Sequence, residues 1–426
     1  MTIIRLLAGW IADHEIWLLA LIVPLLLFPA RFSPLGLFLI PVPGLCRGVS
    51  RGHLTRRTPL DLPILLLLLM IPITLWATAL PEITWPAVYK LLVGIALFYG
   101  IVNWARDEEH IWWTAWGLIG LGMALALAAP FGVQWSRGKL FKLTALYELF
   151  PTLLPETIHP NVLAGALAIL FPLPLALLVL GCQDYFPSSA TSHPRLRGLA
   201  LVLAFLLMLS MLLATQSRGA YIAAVVVIAF LLAWRYPEVL LGGAPILGGV
   251  GYIGWRVGWG HLIDLVTQTE SLQSLGGRLE VWSRALYMMQ DFPFTGVGMG
   301  TFDQVANVMY PFFLAGPEAE VGHAHNLFLQ VGVDLGYPGL IAFITILLLC
   351  LAMTWQIHRH SRRLRGLALG LFASYIALIL HGLVDAVSWG TKPAVIPWAL
   401  FGLTAALYNL SFGLEQSATL GERQAR

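Results

Sequence analysis

Leu199-Ala200-Leu201-Val202-Leu203-Ala204-Phe205-Leu206-Leu207-Met208-Leu209-Ser210-Met211-Leu212-Leu213-Ala214 runs without an ionisable group into Thr215-Gln216-Ser217-Arg218-Gly219-Ala220. At ~1.5 Å per residue, the apolar run nearly crosses the ~30 Å of hydrocarbon in a bilayer. Inside hydrocarbon every backbone amide must find its partner within the segment, so the run is a helix. Runs of the same kind extend from Leu62 to Leu80 and from Leu340 to Met353. Of the 426 residues, 58% are hydrophobic and 11% charged, which leaves too little polar surface to cover a soluble globule of this size. The fold class implied is an all-α polytopic membrane protein.

Working outward from that stretch, hydropathy predicts helices near 16–30, 32–46, 61–80, 84–104, 110–130, 160–181, 198–215, 219–235, 239–256, 326–356, 365–388 and 393–411, about twelve crossings. Arg47, Arg51, Arg56 and Arg57 occupy one connection, Arg195 and Arg197 a second, and Arg359, Arg362, Arg363 and Arg365 a third. With alternating helices all three fall on the same side, which the positive-inside rule makes the cytoplasm, together with both termini. The polar stretches 131–159 and 257–325 then lie outside. The organisation expected is nine helices with short loops over 1–256, an outer and partly helical loop domain over 257–325, and three helices with a cytoplasmic tail over 326–426.

The net charge of +3 does not suggest nucleic acid. Cys46, Cys182 and Cys350 show neither a disulfide framework nor a zinc spacing. Arg5 followed by the apolar run Ile16 to Phe28 has the look of a signal peptide. Ala30-Arg31-Phe32-Ser33 is a poor cleavage site and apolar sequence resumes at once, so a retained first helix is expected.

Topology brings several polar side chains to the outer face. Arg218 stands in a turn too short to leave the membrane surface. It reads either as an arginine snorkelling to the interface or as a bidentate clamp for phosphate. Arg278, after Gly276-Gly277 and at the head of an amphipathic stretch with Trp282 and Leu286, is either a solvated loop residue or an anion ligand at a helix N-terminus. His325, in Gly322-His323-Ala324-His325-Asn326-Leu327, sits at a water-to-membrane boundary where an imidazole can act as general base. His323 and His325 together hint at metal, but no carboxylate, cysteine or third histidine lies at ligand spacing beside them. His381 and Asp385, four apart on one helix face, form either a structural pair or part of a cavity.

These segments resemble the O-antigen ligase and polymerase superfamily. His325-Asn326, nine residues, Gly336, two residues and Gly339 fit the ligase pattern of histidine, a small amide or hydroxyl residue, nine positions, glycine, two positions and glycine. Thr215-Gln216-Ser217-Arg218-Gly219-Ala220, Gly277-Arg278-Leu279-Glu280-Val281-Trp282 and Asp291-Phe292-Pro293-Phe294-Thr295-Gly296-Val297-Gly298 look like the family's segments, in the same order. The likeness covers about 195–390. The resemblance implies a GT-C-like membrane glycosyltransferase of the bacterial inner membrane with its active site in the periplasm. It implies an undecaprenyl-diphosphate-linked glycan as donor and no metal or other cofactor. Arg218 and Arg278 would bind the diphosphate, and His325, or His323 in its place, would activate the acceptor hydroxyl. His381 and Asp385 would support them, and Asn326 would orient His325 or cap its helix.

Within the superfamily the pattern favours a ligase, which hands finished glycan to lipid A-core. Polymerases and protein O-oligosaccharyltransferases share the His-Asn-Gly-Gly region, and nothing in the sequence reads the acceptor. A bicarbonate-type anion transporter would also explain arginines at an entrance. Such a transporter should show repeats or broken helices at the midplane, whereas the cations here gather at the outer face.

Overall fold

The structure, a computed structural model, describes residues 2–27, 39–135, 147, 157–180, 194–239, 248–249, 251–252, 255–258, 275–313 and 321–413. Helices follow one another as α1 (Thr2–Asp13), α2 (Glu15–Leu27), α3 (Val42–Arg51), α4 (Asp61–Ala77), α5 (Pro81–Trp104), α6 (Glu108–Gly132), α7 (Pro160–Leu170) and α8 (Pro172–Val179). They continue as α9 (Pro194–Ala214), α10 (Arg218–Arg235), α11 (Leu275–Asp291), α12 (Phe302–Met309), α13 (Leu327–His360), α14 (Arg365–Gly382) and α15 (Val395–Phe412). Among the described residues no strand forms. Val133 and Ile158 make an isolated bridge that joins the end of α6 to the start of α7.

Among the described residues, eight stretches are long and apolar enough to cross a membrane: α5, α6, α7 continuing into α8, α9, α10, α13, α14, and α15 with the turn before it. The helix α4 is equally apolar but shorter. Proline does not break α5 or α6, where Pro86 and Pro130 are accommodated within the helix. At Phe171-Pro172 it separates α7 from α8, since proline offers no amide to the preceding turn. The α7–α8 rod is enclosed by α6, α9, α10 and α14. α9 and α10 present Leu203, Leu206, Leu213, Ile222 and Val225 outward, as a lipid-facing surface requires.

Three of the expected helices are described only in part or end elsewhere. The first half of the expected helix 32–46 lies outside the described residues, and its described end belongs to α3, a short polar helix whose Arg47 is buried against the Glu15 carboxylate. A buried guanidinium needs that partner. The expected helix 239–256 lies largely outside the described residues. The eleventh expected helix stops at Gly382 rather than continuing to 388, because Val384 and Asp385 both turn their amides back to the His381 carbonyl.

Charge separates the two ends of the bundle. At one end Arg363 pairs with Glu108 at 3.0 Å and Asn409 donates to the Arg57 carbonyl, so the first and third arginine-rich connections meet there. Arg218, His325 and Asp385 lie at the opposite end of the same helices.

A second, smaller core lies at this opposite end. Val281, Ala285, Met288, Met289, Phe302, Ala306 and Phe312 pack with Val333 of α13. The segment 291–300 joins this core to α13 by backbone contact. Val297 donates to the Val333 carbonyl and Tyr337 to the Pro293 carbonyl. The exchange is possible because α13 is interrupted at Gly336, with φ +66° and ψ −174°. A Cβ there would stand 2.6 Å from the Pro293 oxygen, so only glycine fits both the conformation and the approach.

Candidate active site

The residues His323 to Asn326 lead into α13 through a tight local structure. Asn326 caps the helix, its side-chain oxygen accepting from the Phe328 and Leu329 amides. Its amide nitrogen reaches across to the Leu383 carbonyl, tying the start of α13 to the segment after α14. His325 has φ +47°, the left-handed region that a non-glycine residue adopts only when its surroundings compel it. Its backbone amide donates to His323 Nδ1 at 3.1 Å, and Trp282 of α11 donates to its carbonyl.

Asp385 faces both histidines from the far side. Its Oδ1 lies 3.6 Å from His323 Nε2 and 4.0 Å from His325 Nδ1. His325 Nδ1 is buried without a hydrogen-bond partner. Asp385 is 4% exposed and accepts from the Ala386 amide and from Asn161 Nδ2. Burial alone would raise its carboxyl, but His323, His381 and His325, with the Ala386 amide, bring it below the usual carboxylate range. Burial first, then neighbouring His323, pushes His325 down to about 4, and burial lowers His323 as well. The site therefore holds an ionised carboxylate beside neutral imidazoles at neutral pH.

The arginines complete it. Arg218 opens α10, after a turn in which Gln216 takes φ +54° and donates to Tyr147, whose hydroxyl donates to the Ala214 carbonyl. The next residue, Gly219, brings this helix end against the segment after α14: a Cβ on it would stand 2.4 Å from Val384. Arg278 lies in the first turn of α11 with its Nε buried and unpartnered. Burial and the charge of Arg218 pull the Arg278 guanidinium down, while Asp385 holds it up. Arg278 thus lies within the field of both Arg218 and Asp385, and a guanidinium remains charged in any such setting.

The structure brings Arg218, Arg278, His323, His325, His381 and Asp385 to one end of the bundle, with Asn326 serving as helix cap. His381 is buried within α14, and Asp385 is not on that helix but in the turn beyond it. The third ligand that local spacing did not supply comes from a distant segment. His323, His325 and Asp385 place one donor atom each within 4.8 Å of the others, a set able to hold a metal ion. The charge of Arg278 bears on all three, which opposes a cation there.

Two members were not singled out from sequence. His159, the cap of α7, is close enough for its charge to act on His325, and Asn161 bonds to Asp385. The signal was present: His159-Pro160-Asn161 stands just before an apolar helix at the same end of the molecule, as His325-Asn326 does.

A family model described as O-antigen ligase matches residues 203–344. The matched stretch runs from α9 into α13 and includes both arginines, His323, His325 and the segment that docks at Gly336. No curated protein matches the chain.

Proposed function

Because residues 203–344 place this chain in the O-antigen ligase superfamily, we propose that it transfers glycan from a polyprenyl diphosphate carrier to a hydroxyl acceptor at the periplasmic face of the bacterial inner membrane. The observation that carries this reading is the convergence of Arg218 and Arg278 with a histidine–carboxylate cluster at the end of the bundle opposite the arginine-rich connections.

In the reaction the acceptor oxygen bonds to the anomeric carbon as the bond from that carbon to the carrier diphosphate breaks. The hydroxyl proton passes to His325. With Nδ1 turned toward Asp385, Nε2 is the nitrogen left for the acceptor. The imidazolium that forms is stabilised by the charge of the neighbouring carboxylate, 4.0 Å from Nδ1. The departing diphosphate gains negative charge, and Arg218 and Arg278 neutralise it from preorganised positions. Donors of this kind are typically worth ~10²–10³ in rate, so the chemistry proceeds without a metal. Attack opposite the leaving group inverts the anomeric centre. The neutral state of His325 suits a base, and the fixed charge of two guanidinium groups suits a diphosphate.

The acceptor we assign is lipid A-core, making the protein a ligase of lipopolysaccharide synthesis. The test is transfer from undecaprenyl-diphosphate-linked glycan to lipid A-core by the reconstituted protein in EDTA, beside His325→Ala. Product that survives EDTA and vanishes in a properly inserted His325→Ala protein supports the assignment. Longer carrier-linked chains without lipid A-core product would make the protein a polymerase, and glycosylated protein would make it a protein transferase. No change in glycan with any acceptor would overturn the enzyme reading in favour of anion transport.

A further inference from the structure

Gln330 and Asp334 lie one turn apart on the buried face of α13, within the nine positions that the family pattern leaves open between His325-Asn326 and Gly336. Both are almost fully enclosed, at 4% and 1% exposure, and hydrogen bonds engage both ends of each. Gln330 Nε2 donates to Asp334 Oδ1 at 2.9 Å, and its Oε1 accepts from the Ala324 amide at 2.7 Å. Ala324 is the residue between His323 and His325. Asp334 Oδ1 also accepts from the Gly300 amide at 3.1 Å, and Oδ2 from Trp389 Nε1 at 2.8 Å. The Asp334 carbonyl accepts from Thr74 of α4 at 2.9 Å.

Each bond leads to a different part of the site. Through Gln330 the pair holds the histidine segment. Through Trp389, whose amide bonds back to the Ala386 carbonyl, it holds the turn that carries Asp385. Through Gly300 it holds the outer core in which α11 presents Arg278. A left-handed residue such as His325 does not maintain itself, because its backbone is unfavourable unless neighbours fix it. The bond from the Ala324 amide to Gln330 is one of the contacts that fix it.

We propose that Gln330 and Asp334 are positioning residues, a buried hub that sets His325 against Asp385 and registers both with the domain bearing Arg278. The inference rests on the proposed role of His325 as base. A buried polar pair serving stability alone would lower melting temperature and yield and leave the chemical step untouched. A hub for positioning acts on the step in which the proton moves. The outer core that presents Arg278 is held through the Gly300 amide on Asp334, a bond that Gln330 does not make, so loss of the Gln330 bonds acts on the histidine segment and leaves binding of the donor by the proposed Arg218 and Arg278 contacts intact.

The experiment uses the full chain in lipid nanodiscs with Gln330→Met, which keeps the side-chain volume and removes both hydrogen bonds. Trp389→Phe serves as a milder variant that removes one donor to Asp334. Two readouts are taken: kcat and KM for the carrier-linked glycan, and the rate at which diethylpyrocarbonate modifies His325, followed by mass spectrometry. For Gln330→Met we expect kcat to fall by about 10²-fold, the cost of a misplacement near 1 Å, with KM for the donor unchanged. His325 should react several-fold faster or slower than in the parent, and Trp389→Phe should move both readouts the same way by less. Wild-type kcat and unchanged His325 reactivity in the folded variants would overturn the proposal. So would kcat and KM changing together while His325 reactivity stays the same. If the parent transfers glycan to no acceptor, the enzyme reading fails, yet the His325 modification rates still decide whether the hub holds that residue. Should Gln330→Met not fold, Trp389→Phe decides it alone by the same two readouts.

Discussion

His325 combines an unfavourable backbone, an unpartnered ring nitrogen and a neutral charge state, and the three features have one origin in its enclosure between Asp385, His323 and Trp282 of α11. Enclosure pushes its protonation down to about 4, so the ring stays neutral as pH falls through the range where an ordinary imidazole, at about 6.5, becomes charged. The rate of glycan transfer at pH 5.5 should accordingly lie within about twofold of that at pH 7.5, where an unperturbed base would lose about tenfold. A pH series with the reconstituted protein checks this, and a fall centred near 6.5 would show that the base is solvated. Sequence alone marked His325, Arg218 and Arg278 because a cation or imidazole beside hydrocarbon needs a reason to be there. It could not show that Asp385 meets the histidines, since no periodicity links two segments about sixty positions apart. Asp334 was open to the same argument as the arginines, being a carboxylate inside an apolar run, and the apolar run concealed it.

Among the elements, α13 has the largest share of the architecture. Its apolar length was plain in Leu340 to Met353, and its cap was plain in Asn326. Its interruption was not, because Gly336 followed by Tyr337-Pro338-Gly339 reads equally well as a helix tolerating its glycines. What decides between the two is tertiary: the segment 291–300 passes close enough for the Pro293 carbonyl to take the Tyr337 amide. Replacing Gly336 with alanine forces a side chain into a positive-φ, extended-ψ backbone that essentially only glycine adopts, at about 1–3 kcal/mol, and drives a methyl group into the Pro293 oxygen. We expect Gly336→Ala to lower the melting temperature of the purified protein by several degrees and to loosen the outer core first. Hydrogen exchange in α11 and α12 should therefore rise ahead of exchange in α14. Equal exchange in both would mean the docking at Gly336 carries little of the connection.

The whole molecule is polarised. Arg363, Glu108, Arg57 and Asn409 gather at one end and the candidate site at the other, joined by the same apolar rods. Composition and the positive-inside rule made this polarity legible, since hydrocarbon thickness and loop charge are properties of segments rather than of contacts. The number of crossings was less legible: α3 is polar and too short to cross, and hydropathy merges its start with the apolar run before it. In a cysteine-free background, Val308→Cys, 82% exposed on α12, should react with an impermeant thiol reagent in intact spheroplasts. Arg362→Cys, at the basic end, should react only after the membrane is opened. The reverse pattern would invert the orientation proposed here.

The groups that meet around His325 come from segments near 159, 218, 278, 323 and 385, with one further described helix, α15, after the last of them. A chain emerging from the ribosome therefore inserts most of its rods before Asp385 exists to face the histidines. Until then the two arginines and the proposed base are present without the carboxylate that faces the histidines. Spreading one cluster across so much of the chain acts as a safeguard in time: under the proposed mechanism an unfinished copy lacks the carboxylate that steadies its base.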